Sequence, residues 1–329
     1  MRRFAGLLTV FVLLMPALTQ AQPSASSLET AARTAGTLPR LRSLLVSHRG
    51  AIVLERYVNG ARATQHANIK SASKSVIAAL VGIAIGKGHI KTIDDKIAAY
   101  LPELGKDPDP AKRAISIGDL VTMRSGLEST SGRGYGAWVQ SKNWVQYVLR
   151  RPLVDRPGTR VEYSTGSTHL LSAIVTRATK MSTWQFAQEE LARPLGFSLA
   201  KWITDPQGVY FGGNEMSMTP RQMLAFGELY LNHGRVGDRQ VIPKAWVDKA
   251  DDGVGRSRWG SDCEYGHGFW IRDFGGVKSY YAWGYGGQFI FIIPDKDLVI
   301  VTTSRSDVSR ERRDHNDAIY AMVEQLVAG

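Results

Sequence analysis

Cysteine is nearly absent: Cys263 is the only one in 329 residues. A chain with one thiol closes no internal disulfide, and a chain of this length needs none, since it buries enough surface for a real core. Cys263 therefore reads as an inert structural residue. Long apolar runs are also missing, because after residue 21 no stretch is long and apolar enough to span a bilayer. The seven histidines show no metal-ligand spacing with cysteine or carboxylate partners, so neither a metal nor a cofactor is expected. There is no zinc-finger spacing, no aromatic-basic RNA motif and no long basic helix. The formal charge of +11 is spread over scattered arginines and lysines. That pattern suits contact with anionic surfaces or polymers and argues against nucleic acid as a partner.

Residues 1–21 have the form of an export signal. Arg2 and Arg3 lead an apolar run from Ala5 to Leu18, and Thr19-Gln20-Ala21 offers small residues before a cut at Gln22. The expected location is periplasmic or secreted. The Ser/Ala/Thr-rich residues 22–38 read as a loosely held lead-in with a short helix.

Leu44-Leu45-Val46 and Ala51-Ile52-Val53-Leu54 flank His48-Arg49-Gly50, which predicts a hairpin. Ser116 caps a short helix that ends near Gly126, and the Ser/Gly-rich residues 128–137 read as a long loop. Helical patterns cover 141–150, His169 to Ala178, Trp184 to Leu191 and the stretch opening at Thr219-Pro220. In the last third the pattern changes. Gln288 to Ile293 and Leu298 to Thr303 are continuous apolar runs on either side of Pro294-Asp295, the signature of a buried antiparallel hairpin. A closing helix covers 315–327. The expected architecture is an α/β (α+β) fold with a sheet built from both chain ends, residues 22–95 and 206–329. A mostly helical part at 96–205 packs beside it, and the active site lies in the cleft between them.

The stretch with the most chemistry is Asn68-Ile69-Lys70-Ser71-Ala72-Ser73-Lys74-Ser75, followed by the apolar run from Val76 to Ile85. Spacing of three residues puts Ser71 and Lys74 on one face of a helix start. An amine in apolar surroundings loses its proton more easily and can serve as a base, and the helix start offers free backbone N–H groups. The same residues also fit a helix cap followed by a solvated lysine.

Three landmarks occur in order: Ser71-x-x-Lys74, Tyr163-Ser164-Thr165, and Trp283-Gly284-Tyr285-Gly286-Gly287-Gln288. On this set the chain resembles the serine beta-lactamase and penicillin-binding-protein superfamily. More closely, it is similar to the class C-related branch that includes D-alanyl-D-alanine carboxypeptidases, esterases and 6-aminohexanoate-dimer hydrolases. The resemblance implies Ser71 as nucleophile, with Lys74 and Tyr163 sharing the proton traffic. In that branch the tyrosine oxygen is the assigned base, held phenolate-like by the lysine. It also implies an oxyanion hole from the N–H groups of Ser71 and Tyr285. The substrate pocket would be lined by Tyr135, Trp138, Thr165, Trp283, Gly284, Gly286 and Gly287, with Gln288 shaping the strand.

Two positions depart from the family pattern. Thr165 stands where an asparagine is common, and Trp283-Gly284-Tyr285 carries no cation where Lys or His often precedes Thr-Gly. Both departures favour hydrolysis of small esters or amides over antibiotic hydrolysis. A D-alanyl-D-alanine carboxypeptidase, a weak beta-lactamase and a non-catalytic binding protein are the alternatives.

Overall fold

The computed structural model describes residues 22–257 and 260–329, so the export signal expected at 1–21 lies outside the described residues. The chain opens with helix α1 (Ala25–Thr37), strands β1 (Leu41–His48) and β2 (Ala51–Tyr57), and the short strand β3 (Ala67–Asn68). Helix α2 (Ser73–Gly86) follows a tight turn at Lys70–Ala72. The middle is helical: α3 (Pro110–Arg113), α4 (Ile117–Val121), α5 (Tyr135–Val139), α6 (Trp144–Leu149), α7 (Thr165–Thr179) and α8 (Thr183–Ala187). Strand β4 (Ser217–Met218) pairs with β3 and leads into α9 (Pro220–Leu231). The chain then runs through β5 (Arg235–Val236), β6 (Arg239–Gln240), α10 (Lys244–Val247), β7 (Arg256–Ser257) and β8 (Gly260–Tyr265). It ends with β9 (Trp270–Phe274), β10 (Val277–Gly284), β11 (Gln288–Ile293), β12 (Leu298–Ser304) and α11 (Arg312–Ala328).

Eight strands form one sheet in the order β2-β1-β12-β11-β10-β9-β8-β7. The two chain ends meet one strand in from the β2 edge, where β1 runs antiparallel to β12 with Leu45 opposite Val301. Strand alternation sorts the side chains into two layers. Leu45, Ala282, Ile290, Ile292, Val299 and Val301 face α2, α9 and the helical middle. Leu44, Tyr281, Phe289, Phe291 and Ile300 face α1 and α11. Helix α2 is apolar on all sides because it runs between the sheet and α7, and twelve of its residues are buried.

Two local expectations are corrected. Residues 22–38 are not loosely held: Ser24 caps α1, and Ala31 and Ala35 are fully buried. Small side chains let α1 lie close against α11, and their size disguised a packed helix as a linker. Residues 128–137 are not one loop either, since a tight turn at Gly132–Gly134 runs directly into α5. Ser116 does cap α4, through a reciprocal box with Asp119.

Candidate active site

The site is built where α2 begins. Lys70 sits at φ 51°, a left-handed conformation that costs a non-glycine residue about 1–2 kcal/mol. Its amide donates to Asn68 Oδ1 at 3.0 Å, and Ser73 Oγ donates to its carbonyl at 2.6 Å. This strained turn presents Ser71 at the surface while the next residues plunge into the core. Strained backbone of this kind persists where surrounding structure over-determines it.

Lys74 lies one turn further on, is 2% exposed, and points its Nζ at Ser71 Oγ at 3.1 Å. The amine also donates to the Gly213 carbonyl at 2.6 Å. Burial drives the Lys74 ammonium down to about 7, because a low-dielectric surround penalises the charged form. Tyr163 completes the group. Its ring lies 5.0 Å from Lys74 Nζ, and the nearby Ser71 hydroxyl eases ionisation of its phenol. Burial pushes the Tyr163 phenol above its ordinary value, and the Ser71 hydroxyl offsets only part of that rise. Trp270 stacks on the Tyr163 ring at 5.4 Å and Tyr265 meets it edge-on at 6.0 Å, so the phenol is held from behind by aromatic walls. Burial thus pushes each group toward its neutral form, easing the Lys74 proton off and holding the Tyr163 proton on. That is the reverse of the ammonium–phenolate arrangement the resemblance implies.

The end of β10 closes against this turn. A Cβ at Gly284 would fall 2.0 Å from the Ile69 carbonyl, so only glycine lets the strand approach the nucleophile's turn this closely. Gly286 and Gly287 take φ of 90° and 104°. They pack against the Arg305 carbonyl and against Ser304 and His315, respectively. Among the described residues, neither the Ser71 nor the Tyr285 N–H donates to a backbone acceptor outside its own helix or strand. Gln288 does shape this corner: its side chain bonds both the N–H and the carbonyl of Ser304, at 3.1 and 2.7 Å.

The remaining pocket residues divide. Tyr135 is half-buried and its hydroxyl accepts from Asn214 at 3.3 Å, next to the carbonyl that holds Lys74. Thr165 is 5% exposed, and its methyl walls the same Gly213 turn. Its hydroxyl pairs with Ser131 at 2.9 Å. Trp283 lies on the α1–α11 side of the sheet, stacked on Phe289 and edge-on to Trp270, so it reaches the site only through Trp270 and Tyr163. Trp138 is a correction. It is fully buried, with its indole N–H on the Trp144 carbonyl at 3.1 Å and its ring against His169 and Phe211, so it faces no opening. A pocket of about 520 Å³ lies on the neighbouring surface, lined by Glu128, Ser131, Arg133, Tyr147, Arg151 and Glu162 among others, and Ser71, Lys74 and Tyr163 do not line it.

Several contributors were missed from sequence. Arg312 lies over the Tyr285 ring at 4.2 Å and brings a cation to the strand whose motif lacks one. Gly213 and Asn214 supply the acceptor for Lys74 and the partner of Tyr135. The Gly212-Gly213 pair was the available signal. Cys263 is buried, with Sγ 3.1 Å from the Tyr281 hydroxyl on the layer facing α11.

Comparison with known proteins agrees with the fold. The model of the family described as Beta-lactamase matches residues 42–323. Protein Rv1367c of Mycobacterium tuberculosis is 31% identical over 218 residues, which are 60% of this chain and 51% of that protein. The matched region thus spans about half the length of the curated relative. Among solved structures, the fold is shared with a penicillin-binding protein homologue from Caulobacter crescentus. That match has a TM-score of 0.71 at 14% identity, covering 90% of this chain and 97% of the other. It is shared too with EstCE1, a hydrolase with promiscuous acyltransferase activity, at a TM-score of 0.69, 16% identity, and 90% and 98% coverage. A third is the octameric penicillin-binding protein homologue from Pyrococcus abyssi, at 0.67, 17% identity, and 91% and 75% coverage.

Proposed function

The chain belongs to the Beta-lactamase family, and from that premise we propose that it is an exported serine hydrolase that cleaves small esters or amides through an acyl-enzyme on Ser71. The observation that carries this reading is the buried Lys74 amine, 3.1 Å from Ser71 Oγ in surroundings that lower it to about 7. A neutral amine accepts the Ser71 proton as Oγ attacks the carbonyl carbon. The developing oxyanion is received by the N–H groups of Ser71 and Tyr285. Tyr163, held protonated beside Ser71, passes a proton to the departing alcohol or amine and is refilled from the Lys74 ammonium. Water then attacks the acyl carbon and gives its proton to Lys74, and the Lys74 ammonium returns that proton to Ser71 Oγ as its bond to the acyl carbon breaks and the acid leaves. Export rests on Arg2, Arg3 and the apolar run that follows them. Among the described residues no helix is long and apolar enough to cross a membrane.

Arg312 favours a second reading, a D-alanyl-D-alanine-type peptidase. Its guanidinium, stacked on Tyr285, stands where a substrate carboxylate would need a cation.

Intact-protein mass after brief exposure to a fluorophosphonate, a penicillin, p-nitrophenyl esters and a linear amide dimer tests both readings. The expected result is a fluorophosphonate adduct that is lost in Ser71→Ala, with turnover of esters or the dimer. A persistent penicillin adduct would select the peptidase reading. No adduct and no turnover in folded protein would overturn the hydrolase reading and leave the binding-only alternative.

A further inference from the structure

The acid–base chemistry above uses no histidine, yet one histidine and one aspartate are sealed in the core beside it. His169, on α7, and Asp205 are both fully inaccessible at the side chain, with Nε2 3.1 Å from Asp205 Oδ2. Asp205 Oδ1 accepts from the Gln207 and Val209 amides at 2.8 and 2.9 Å, so the carboxylate is fully engaged. On the other side of the ring, Nδ1 accepts from the Gly212 amide at 3.4 Å. An Nδ1 that accepts requires the proton on Nε2, and the aspartate is what holds it there.

The carbonyl of the following residue, Gly213, accepts from the Lys74 amine. The turn has no slack. A Cβ at Gly212 would meet the Thr168 carbonyl at 2.2 Å, and one at Gly213 would meet Thr168 Oγ1 at 2.5 Å and Lys74 Nζ at 3.2 Å. Helix α7 begins two residues after Tyr163 and carries Thr168 and His169. One helix therefore follows the phenol directly and also supports the acceptor of the amine.

We propose that Asp205 and His169 are positioning residues that fix the Gly212–Gly213 turn and, through its carbonyl, aim the Lys74 amine at Ser71. This rests on the reading of Lys74 as the base for acylation. A buried ion pair or polar pair is weak evidence for stability. Its value here is geometric, because displacing a catalytic group by about 1 Å can slow a reaction on the order of 10²-fold.

Asp205→Asn is the sharp test. The amide oxygen keeps the Gln207 and Val209 bonds, but the amide nitrogen presents a donor to Nε2. The ring must move its proton to Nδ1, which then faces the Gly212 N–H donor to donor. His169→Gln removes the ring and serves as the second variant. Val175→Ala, in the same helix and fully buried, controls for lost stability. The rate of fluorophosphonate labelling of Ser71 is measured per folded molecule by intact mass, across pH. Both dyad variants should label on the order of 10²-fold slower at the high-pH plateau, with a displaced pH midpoint, while Val175→Ala labels at about the wild-type rate. Folded dyad variants that label with the wild-type rate and midpoint would overturn the proposal and reduce the pair to packing. Absence of labelling in the wild type would overturn the acyl-enzyme reading itself, and the dyad's role with it.

Discussion

The two faces of the sheet are equally well filled but differ in what they tolerate. The layer under α1 and α11 is an aromatic stack in which Phe274, Phe289 and Phe291 are fully buried and Tyr281 meets Phe291 at 5.3 Å. Among the described residues no lysine or arginine is buried there beyond the rim residue Arg40, which is tied to the Arg305 and Asp307 carbonyls. The layer under α2 holds a desolvated lysine with no acid beside it, a left-handed Lys70, and a strand end that approaches a carbonyl too closely for any side chain. Each of these opposes folding. They cluster within one turn of Ser71, which is the pattern expected where structure has been kept for chemistry rather than for stability.

Substituting Lys74 should separate the two properties most widely. Lys74→Met should slow Ser71 labelling by roughly 10²- to 10⁴-fold, the usual weight of a general base. It should also stabilise the protein at neutral pH. An unfolded lysine titrates near 10.4, while in the fold it is held at about 7. Between those values the unfolded chain binds more protons, so wild-type stability climbs as pH rises from about 7 to about 10. The variant lacks that slope. Its advantage, on the order of a few kcal/mol before the lost hydrogen bonds are subtracted, should be largest at or below pH 7 and shrink toward pH 10. Urea melts at several pH values check this, and a variant less stable at every pH would break the contrast.

Phe291→Ala should do the opposite. Removing a fully buried ring from the aromatic layer costs about 3–5 kcal/mol, with labelling of the folded fraction unchanged. A slowed rate per folded molecule would show that the two layers are coupled. The smallest effect is expected at Lys70, one turn before Lys74. Its ammonium is partly exposed and paired with Glu215 at 3.1 Å. Lys70→Ala should cost about 0–1 kcal/mol and leave the pH midpoint of labelling in place.

The same contrast explains what sequence could and could not reveal. Local rules exposed the β1–β2 turn, the Ser116 cap, the apolar α2 and the spacing of Ser71 and Lys74, because each is set by residues within a few positions of one another. Trp138 and Tyr135 share a helix turn and look alike as pocket candidates. Only packing shows that one is sealed behind Phe211 while the other reaches Asn214. His169 and Asp205 are thirty-six residues apart, and Arg312 lies twenty-seven residues beyond Tyr285, so their pairing exists only in the folded chain. The lowered Lys74 amine was legible from its apolar neighbours in sequence, but the raised Tyr163 phenol was hidden, since it depends on how much water the packed aromatic walls exclude.

The central claim, that a neutral Lys74 rather than a tyrosinate takes the Ser71 proton, is tested most directly by the pH dependence of fluorophosphonate labelling in the wild-type protein. The account predicts a rate that rises through a midpoint near 7 and then levels, matching the lowered Lys74 ammonium. A midpoint near 10, where an ordinary phenol or lysine titrates, or a rate indifferent to pH, would contradict it.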